Sequence, residues 1–457
     1  MALSGAIVDH LARILAATPW KIAAIKDAIE SALEPLARGD GPTPRVASRR
    51  RRKVSAKMAE ALFAHVFAGI APAETRIANA LETVAEGLDA DDVWGRLAEP
   101  APASWHLPTC RPIAAFAALD LPRLDTPRDV AAFLDLPIDQ LDWYAGLPPF
   151  RPLGSIGTLL HYRFAFHRKV NGGLRLIEAP KPRLKAMQTR ILREILDRVP
   201  AHPAVHGFVH KRSPVTAAAV HAGEALVIAA DISNFFPSIP AGRVHGLFRC
   251  LGYPRAVARC LTGLVTTATP AEVFRDVPID ARPNFAIRQA FATPHLPQGA
   301  PTSPALANLV AYRLDVRLTG IARRFDFAYT RYADDLAFSG RSLGVGQRAA
   351  FQSALNAITV DEGFAINPAK TRTMHRAGAQ RLLGLSINAH ANIPREHFDR
   401  LKALLTNCAR YGPTSQNRDG HAHFQAHLDG RIQWVEHVNR ARGAKLRAIY
   451  QRIVWET

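Results

Sequence analysis

The 457-residue sequence predicts an α+β architecture preceded by an α-helical extension. Three observations lead there. The chain is longer than one ordinary core supports, so two or three domains are expected. From about residue 125, short apolar runs at strand spacing alternate with stretches at helical spacing, the layout of a small sheet covered by helices. Both ends of the chain carry helical periodicity without a strand pattern.

In chain order, residues 1 to 38 place Leu11, Ile14, Leu15, Ile22, Ile25, Ile29 and Leu33 near helical spacing, which predicts amphipathic helix. Gly, Pro and then the cations Arg49 to Lys53 make residues 39 to 53 an exposed linker, one that could also meet phosphate. Residues 54 to 97 are Ala-rich and helical, and APASWHLPTCRP, residues 101 to 112, marks a second boundary. Next come two short helices in TPRDVAAFLDLPIDQLDWYAG, with Thr126 as N-cap and Pro127 at the first helical position. Strands are expected at 174 to 180 (LRLIEAP), 225 to 232 (ALVIAADI), 325 to 335 (FDFAYTRYADD) and 382 to 388 (LLGLSIN). Helices fall between them near 184 to 198, 241 to 264 and 304 to 319, and residues 395 to 457 return to Arg- and Lys-rich helix.

Hydrophobic residues make up 48% of the chain and charged residues 21%, the balance of a soluble globular protein. No run reaches the roughly 18 apolar residues of a membrane span, and Asp9 and His10 interrupt the N-terminus too early for a signal peptide. A cytoplasmic location is expected. The four cysteines, Cys110, Cys250, Cys260 and Cys408, form no CxxC pair, which argues against a disulfide framework or a cysteine zinc site. Lys and Arg total 58 against 39 acidic residues, a net charge of +19 that points to a polyanionic partner, nucleic acid before membrane.

In that basic chain, FAYTRYADDLAFSG, residues 327 to 340, sets two carboxylates side by side. Phe325, Phe327 and Tyr329 alternate as in a half-buried strand, and Leu336 and Phe338 resume the alternation. Tyr332-Ala333-Asp334-Asp335 therefore reads as a tight hairpin with its acids at the tip. Adjacent carboxylates repel and raise one pKa unless a cation compensates. Hard oxygen ligands without Cys or clustered His favour Mg²⁺ over zinc. A third acid, Asp231, stands at the end of the apolar run ALVIAAD. One carboxylate at a strand end and two at a hairpin tip is the ligand set that a two-metal phosphoryl-transfer site needs.

These residues resemble the reverse transcriptases, through several blocks in the family's order. YADD (332 to 335) resembles the palm hairpin motif, AADISNFFPSI (229 to 239) the first palm motif, and LPQGAPTSPALANL (296 to 309) the block before the hairpin in retron and group II intron enzymes. NGGLRLIEAPKPRLKAMQ, HPAVHGFVHKRS, GFAINPAKT and RLLGLSIN are further matches, and together the blocks span roughly residues 125 to 390. GRIQWVEHVNRARGAKLRAIYQRIVW resembles the thumb end of bacterial retron-type enzymes, and a long N-terminal extension is similar to that of some myxobacterial ones.

The resemblance implies a right-hand polymerase. Residues 1 to 115 would be the helical extension, 116 to 390 fingers and palm, with a small antiparallel palm sheet, and 391 to 457 a helical thumb. It implies that Asp231 and Asp334, with Asp335 assisting, hold two Mg²⁺ ions, and that the carbonyl of Ile232 joins the shell. Phe236 would stack under the incoming sugar and exclude a ribose 2′-hydroxyl. Gln298 would contact the nucleotide, Arg175 with Arg168 or Lys169 would grip its triphosphate, and Lys370 would protonate the leaving pyrophosphate. Leu383-Gly384-Leu385 would form the turn at the primer end. The activity implied is RNA-directed DNA synthesis from deoxynucleoside triphosphates on a structured noncoding RNA serving as template and primer, in phage defence alongside a possible effector protein.

No NAxxH motif is present, and Leu382-Leu383-Gly384 stands where retron enzymes carry VTG. Other defence-associated reverse transcriptases with untemplated or self-primed synthesis therefore stay open, as does a non-catalytic RNA-binding scaffold. His423 and His427 lie at helical i, i+4 spacing without an accompanying Glu or Cys, a weak zinc signal. Arg431, Arg440, Arg442, Lys445 and Arg447, with Trp434 and Tyr450 among them, are expected to face an RNA or RNA–DNA duplex.

Overall fold

The computed structural model describes residues 5–16, 22–33, 54–62, 109–146, 160–168, 174–275, 277–278 and 282–455, together with most of 77–84. The cationic run at 49 to 53 and Lys169 lie outside the described residues. The chain divides into two compact units, Met1–Val199 with Ile239–Ser303, and Pro200–Ser238 with Pro304–Thr457.

In the first unit, the helices Gly5–Ala16 and Ile22–Leu33 join helical residues 54–62 and the described helical residues among 77–84 around a core of their own. Leu11, Leu15, Ile25, Ile29, Met58 and Leu62 are fully buried there, so the helical spacing read from the sequence marks a real apolar face. The expected N-terminal helix is two helices. Thr126 caps the helix Pro127–Phe133 through a capping box with Asp129, as its sequence foretells. Strands β1 (Tyr162–Arg168) and β2 (Leu174–Pro180) pair antiparallel, Phe166 opposite Leu176. β1 is not among the expected strands. The helix expected over 241 to 264 is broken into Ala241–Cys250 and Arg255–Val265, because Gly252 turns the chain with φ +100° and Pro254 cannot continue a helix.

The second unit is built on a four-stranded antiparallel sheet, ordered β4-β5-β3-β6. These strands are β3 (Leu226–Asp231), β4 (Phe327–Tyr332), β5 (Asp335–Gly340) and β6 (Arg372–His375). Every residue of β3 is buried, which is why its sequence is a continuous apolar run rather than an alternating one. On one face Phe338 stacks on its cross-strand partner Tyr329 at 4.9 Å and meets the edge of Phe351 at 5.0 Å. On the other face Val227, Ala229 and Ala337 pack into a core shared with Leu401, Leu428 and Leu446 of the C-terminal helices Arg395–Tyr411, Phe424–Val438 and Arg440–Tyr450.

The strand expected over 382 to 388 shrinks to the two-residue pair β7 (Arg381–Leu382) and β8 (Leu385–Ser386). Leu383 and Gly384 turn between them with φ of 52° and 79°, the geometry of a tight hairpin that glycine tolerates without strain. No helix among the described residues is long and apolar enough to cross a membrane.

Candidate active site

The antiparallel register of the four-stranded sheet sets the acids together. β4 ends at Tyr332 and β5 begins at Asp335, so Ala333 and Asp334 form a two-residue turn. On its other side β5 pairs with β3, and this register puts Asp231 directly opposite Asp335. The Ile232 amide donates to the Asp334 carbonyl at 2.9 Å, tying the turn to the chain just past Asp231. An acid remote in sequence thus joins an adjacent pair at one corner of one sheet.

Their proximity shows in the chemistry. Protein packed around Asp335 pushes its carboxyl up to about 6, and the charges of Asp334 and Asp231 push the same way, although the residue as a whole is exposed. Lys370 and Arg372 oppose the shift. The Lys370 ammonium donates to Asp231 Oδ2 at 2.7 Å, and that contact holds the lysine's pKa above its usual value. Lys370 is positioned by Asn367, whose amide donates to the Asp231 carbonyl at 2.7 Å and whose side chain caps the turn Pro368–Lys370. Among the described residues, no three His, Cys, Asp or Glu side chains stand in a ready metal-ligating group. The aspartates are an acidic cluster with one lysine in contact.

The shift at Asp335 yields a stability prediction. A carboxyl raised from 3.8 to about 6 binds its proton more tightly in the folded protein than in the unfolded chain, so stability falls as pH rises through that window. Asp335→Asn should therefore raise the thermal midpoint of the metal-free protein at neutral pH. The gain should shrink between pH 6 and pH 4 and vanish below, which a pH series of melting curves will read.

Phe236 is half-buried beside Phe208 (6.4 Å between ring centres) and Phe235 (5.7 Å), leaving part of its ring accessible. Ile232, by contrast, is buried and makes a single antiparallel bridge with Ile366. In the first unit, Arg168 and Arg175 are both exposed at the end of the β1–β2 pair where β1 finishes and β2 begins, His167 pairing with Arg175 and Arg168 with Leu174. Gln298 sits in the turn before the helix Ser303–Val310. Its carbonyl accepts from the Glu178 amide at 2.7 Å, and its own amide donates to the buried Glu178 carboxylate. Gly299, at φ +130°, lets that turn lie against the Glu178 carbonyl, where a Cβ would approach to 3.1 Å.

One expectation is corrected. Arg447 does not reach outward: it forms a paired contact with Glu436 at 2.9 and 3.0 Å and also bonds Asp429. Arg442 likewise donates to the Ile393 carbonyl, so these two cations serve the C-terminal fold, while Arg440, Lys445 and Trp434 stay exposed. His423 is the N-cap of its helix, and the stacked pair is His421 with His427, ring centres 4.2 Å apart, with no metal-ligating group around them among the described residues.

Sequence reasoning missed the side chain beneath the Ala333–Asp334 turn. Arg331 is completely buried and forms an ion pair with the equally buried Asp315. The signal was present: position 331 continues the inward alternation of Phe327 and Tyr329, and a cation on the core face of a strand requires a buried partner.

Residues 167–387 match the family described as "Reverse transcriptase (RNA-dependent DNA polymerase)". The chain is 40% identical to the Retron Mx65 reverse transcriptase of Myxococcus xanthus over 339 residues, 73% of each chain. It is 34% identical to the Retron Mx162 reverse transcriptase of the same organism over 337 residues, 71% of this chain and 66% of that one. With the Retron Ec86 reverse transcriptase of Escherichia coli it shares 33% identity over 233 residues, 51% of this chain and 64% of the other.

Proposed function

Since the chain belongs to the retron reverse transcriptases and is an RNA-directed DNA polymerase, we propose that it copies a structured noncoding RNA into DNA by two-metal phosphoryl transfer at Asp231, Asp334 and Asp335. The observation that carries the site assignment is the register that sets Asp231 opposite Asp335 beside the Ala333–Asp334 turn. The donor set fits a hard divalent cation. Its side chains offer carboxylate oxygen only, and the charge repulsion that adds to burial in lifting the Asp335 pKa is relieved by added positive charge. Bound there, two Mg²⁺ ions would acidify the attacking 3′-hydroxyl and neutralise the triphosphate and pyrophosphate. The buried Ile232 ties the strand end to the turn through its amide, and in this reading its carbonyl would be a further oxygen ligand. Lys370, in contact with Asp231, stands ready to move toward the leaving phosphate and supply its proton.

In this reading residues 116 to 390 are fingers and palm, 391 to 457 the thumb, and 1 to 115 a helical extension. Arg175 and Arg168 grip the triphosphate from the fingers hairpin, with Lys169 beside them in sequence, and Gln298 contacts the nucleotide. The net charge of +19 supports RNA as template and product scaffold, and the proposed setting is antiviral defence with an effector protein. Purified protein given Mg²⁺, four deoxynucleotides and a primed RNA should yield DNA whose sequence is complementary to the template. A product unrelated to the template would replace copying by untemplated addition, and no product at all would leave a binding scaffold.

The exposed part of the Phe236 ring makes a further prediction. Phe236→Ala should raise ribonucleotide use relative to deoxynucleotide use by about tenfold to a hundredfold, the range set by relieving a small steric exclusion. Competing kcat/KM values for one nucleotide pair will measure it.

A further inference from the structure

Arg331 is the largest fully buried side chain in the described protein, and no role in phosphoryl transfer requires a cation there. Its guanidinium is used on every side. Nε donates to Asp315 Oδ1 at 2.8 Å and one terminal nitrogen to Asp315 Oδ2 at 2.6 Å, a two-pronged contact that fixes the plane of the group. The Tyr329 hydroxyl donates to the same Asp315 carboxylate at 2.8 Å. The other terminal nitrogen donates to Asn308 Oδ1 at 3.0 Å and to the backbone carbonyl of Ala333 at 3.1 Å. Asn308 in turn donates to the Gly207 carbonyl at 2.9 Å. Gly207 lies so close to the turn that a Cβ there would come within 2.5 Å of the Ala333 amide. The backbone of Arg331 is bonded to the same segment, its amide donating to Ala204 and its carbonyl accepting from His206.

A ring of contacts therefore closes around one residue. Ala333 has φ +56°, a conformation that a non-glycine residue keeps only when its surroundings enforce it. A buried ion pair is weak grounds for stability, because apolar residues of similar size serve folding as well or better. What apolar residues cannot do is bond the Ala333 carbonyl. We propose that Arg331, oriented by Asp315 and Asn308, is a positioning residue that holds the Ala333–Asp334 turn in its strained form and so aims the Asp334 carboxylate. This rests on the role of Asp334 proposed above.

Two variants test it. Arg331→Met combined with Asp315→Leu and Tyr329→Phe removes both charges and the hydroxyl that would otherwise lose its partner, so no buried charge is left unpaired while the bond to the turn is lost. Asn308→Ala keeps the ion pair and cuts the link between Arg331 and Gly207. In each, kcat at saturating nucleotide should fall about tenfold to a hundredfold, with the KM for nucleotide within about twofold of wild type. Amide exchange across residues 332 to 335 should also quicken.

Phe351→Leu, a core change remote from the turn, serves as the stability control and should leave kcat intact at a temperature where it is folded. Unchanged kcat in Asn308→Ala, or a loss that merely follows the thermal midpoint and appears equally in the Phe351 control, would overturn the proposal. If the triple variant fails to fold, Asn308→Ala decides alone. Asp334→Asn is assayed alongside: continued synthesis there means that the site assignment has failed, whereas an inactive Asp334→Asn beside a fully active Asn308→Ala means that only the positioning role has.

Discussion

Asp334→Asn should lower templated primer extension about a thousandfold while the protein stays folded and keeps its grip on RNA. The size follows from the charge removed: several kcal/mol of transition-state stabilisation depend on a full carboxylate at a metal site, and about 4 kcal/mol corresponds to three powers of ten. The fold should tolerate the change. Asn matches Asp in shape, and the bond that fastens the turn, from the Ile232 amide to the residue 334 carbonyl, belongs to the backbone. Removing a like charge also lets the Asp335 carboxyl titrate closer to its ordinary range, because Asp334 is one of the two acids that push it up. Single-turnover extension at saturating Mg²⁺ and nucleotide measures the loss, and filter binding to RNA confirms the retained affinity. Synthesis within tenfold of wild type would remove Asp334 from the reaction.

The largest effect on stability is expected at Phe338. It lies at the centre of the sheet, fully buried, paired to Tyr329 on β4 and Ile228 on β3, and braced by the edge of Phe351. Phe338→Ala removes the ring from all of these neighbours and leaves a cavity that a sheet packed on both faces closes poorly, at a cost of about 3–5 kcal/mol. Against a total of about 5–15 kcal/mol for a folded domain, that is about a fifth of the margin at the least. The thermal midpoint should fall by roughly 10 °C, and calorimetry of the two proteins will show it. Activity should fail in step with unfolding, because β5 carries Phe338 and Asp335 on the same strand.

The sequence declares both of these positions openly. Phe338 announces itself through alternation with Leu336, and the acids at 334 and 335 through their improbable place between apolar runs. A capped helix such as Pro127–Phe133 is also written locally, since Thr126, Pro127 and Asp129 satisfy the helix end by themselves. The breaks were harder to read. Val265 and Ala241 lie in what scans as one periodic stretch, and only the positive φ at Gly252 with the adjoining Pro254 divides it. β6 offers four residues, three of them exposed, with too little apolar pattern to register as a strand.

What the sequence determined unaided was everything encoded within a few residues: strand and helix periods, caps, the acidic hairpin, the basic surplus and the ordered blocks that mark a reverse transcriptase. What tertiary structure alone decided was pairing across long separations. The β3–β5 register that sets Asp231 against Asp335, the contact of Lys370 with Asp231, and the burial of Arg331 against Asp315 and Asn308 arise from side chains that are strangers along the chain. The same distinction separated Arg447, committed to Glu436, from the exposed Arg440 a short way before it. Local chemistry specifies which groups need a partner. Only the packed fold selects the partner, because burial removes water as the alternative and leaves each polar group whatever neighbour the topology delivers.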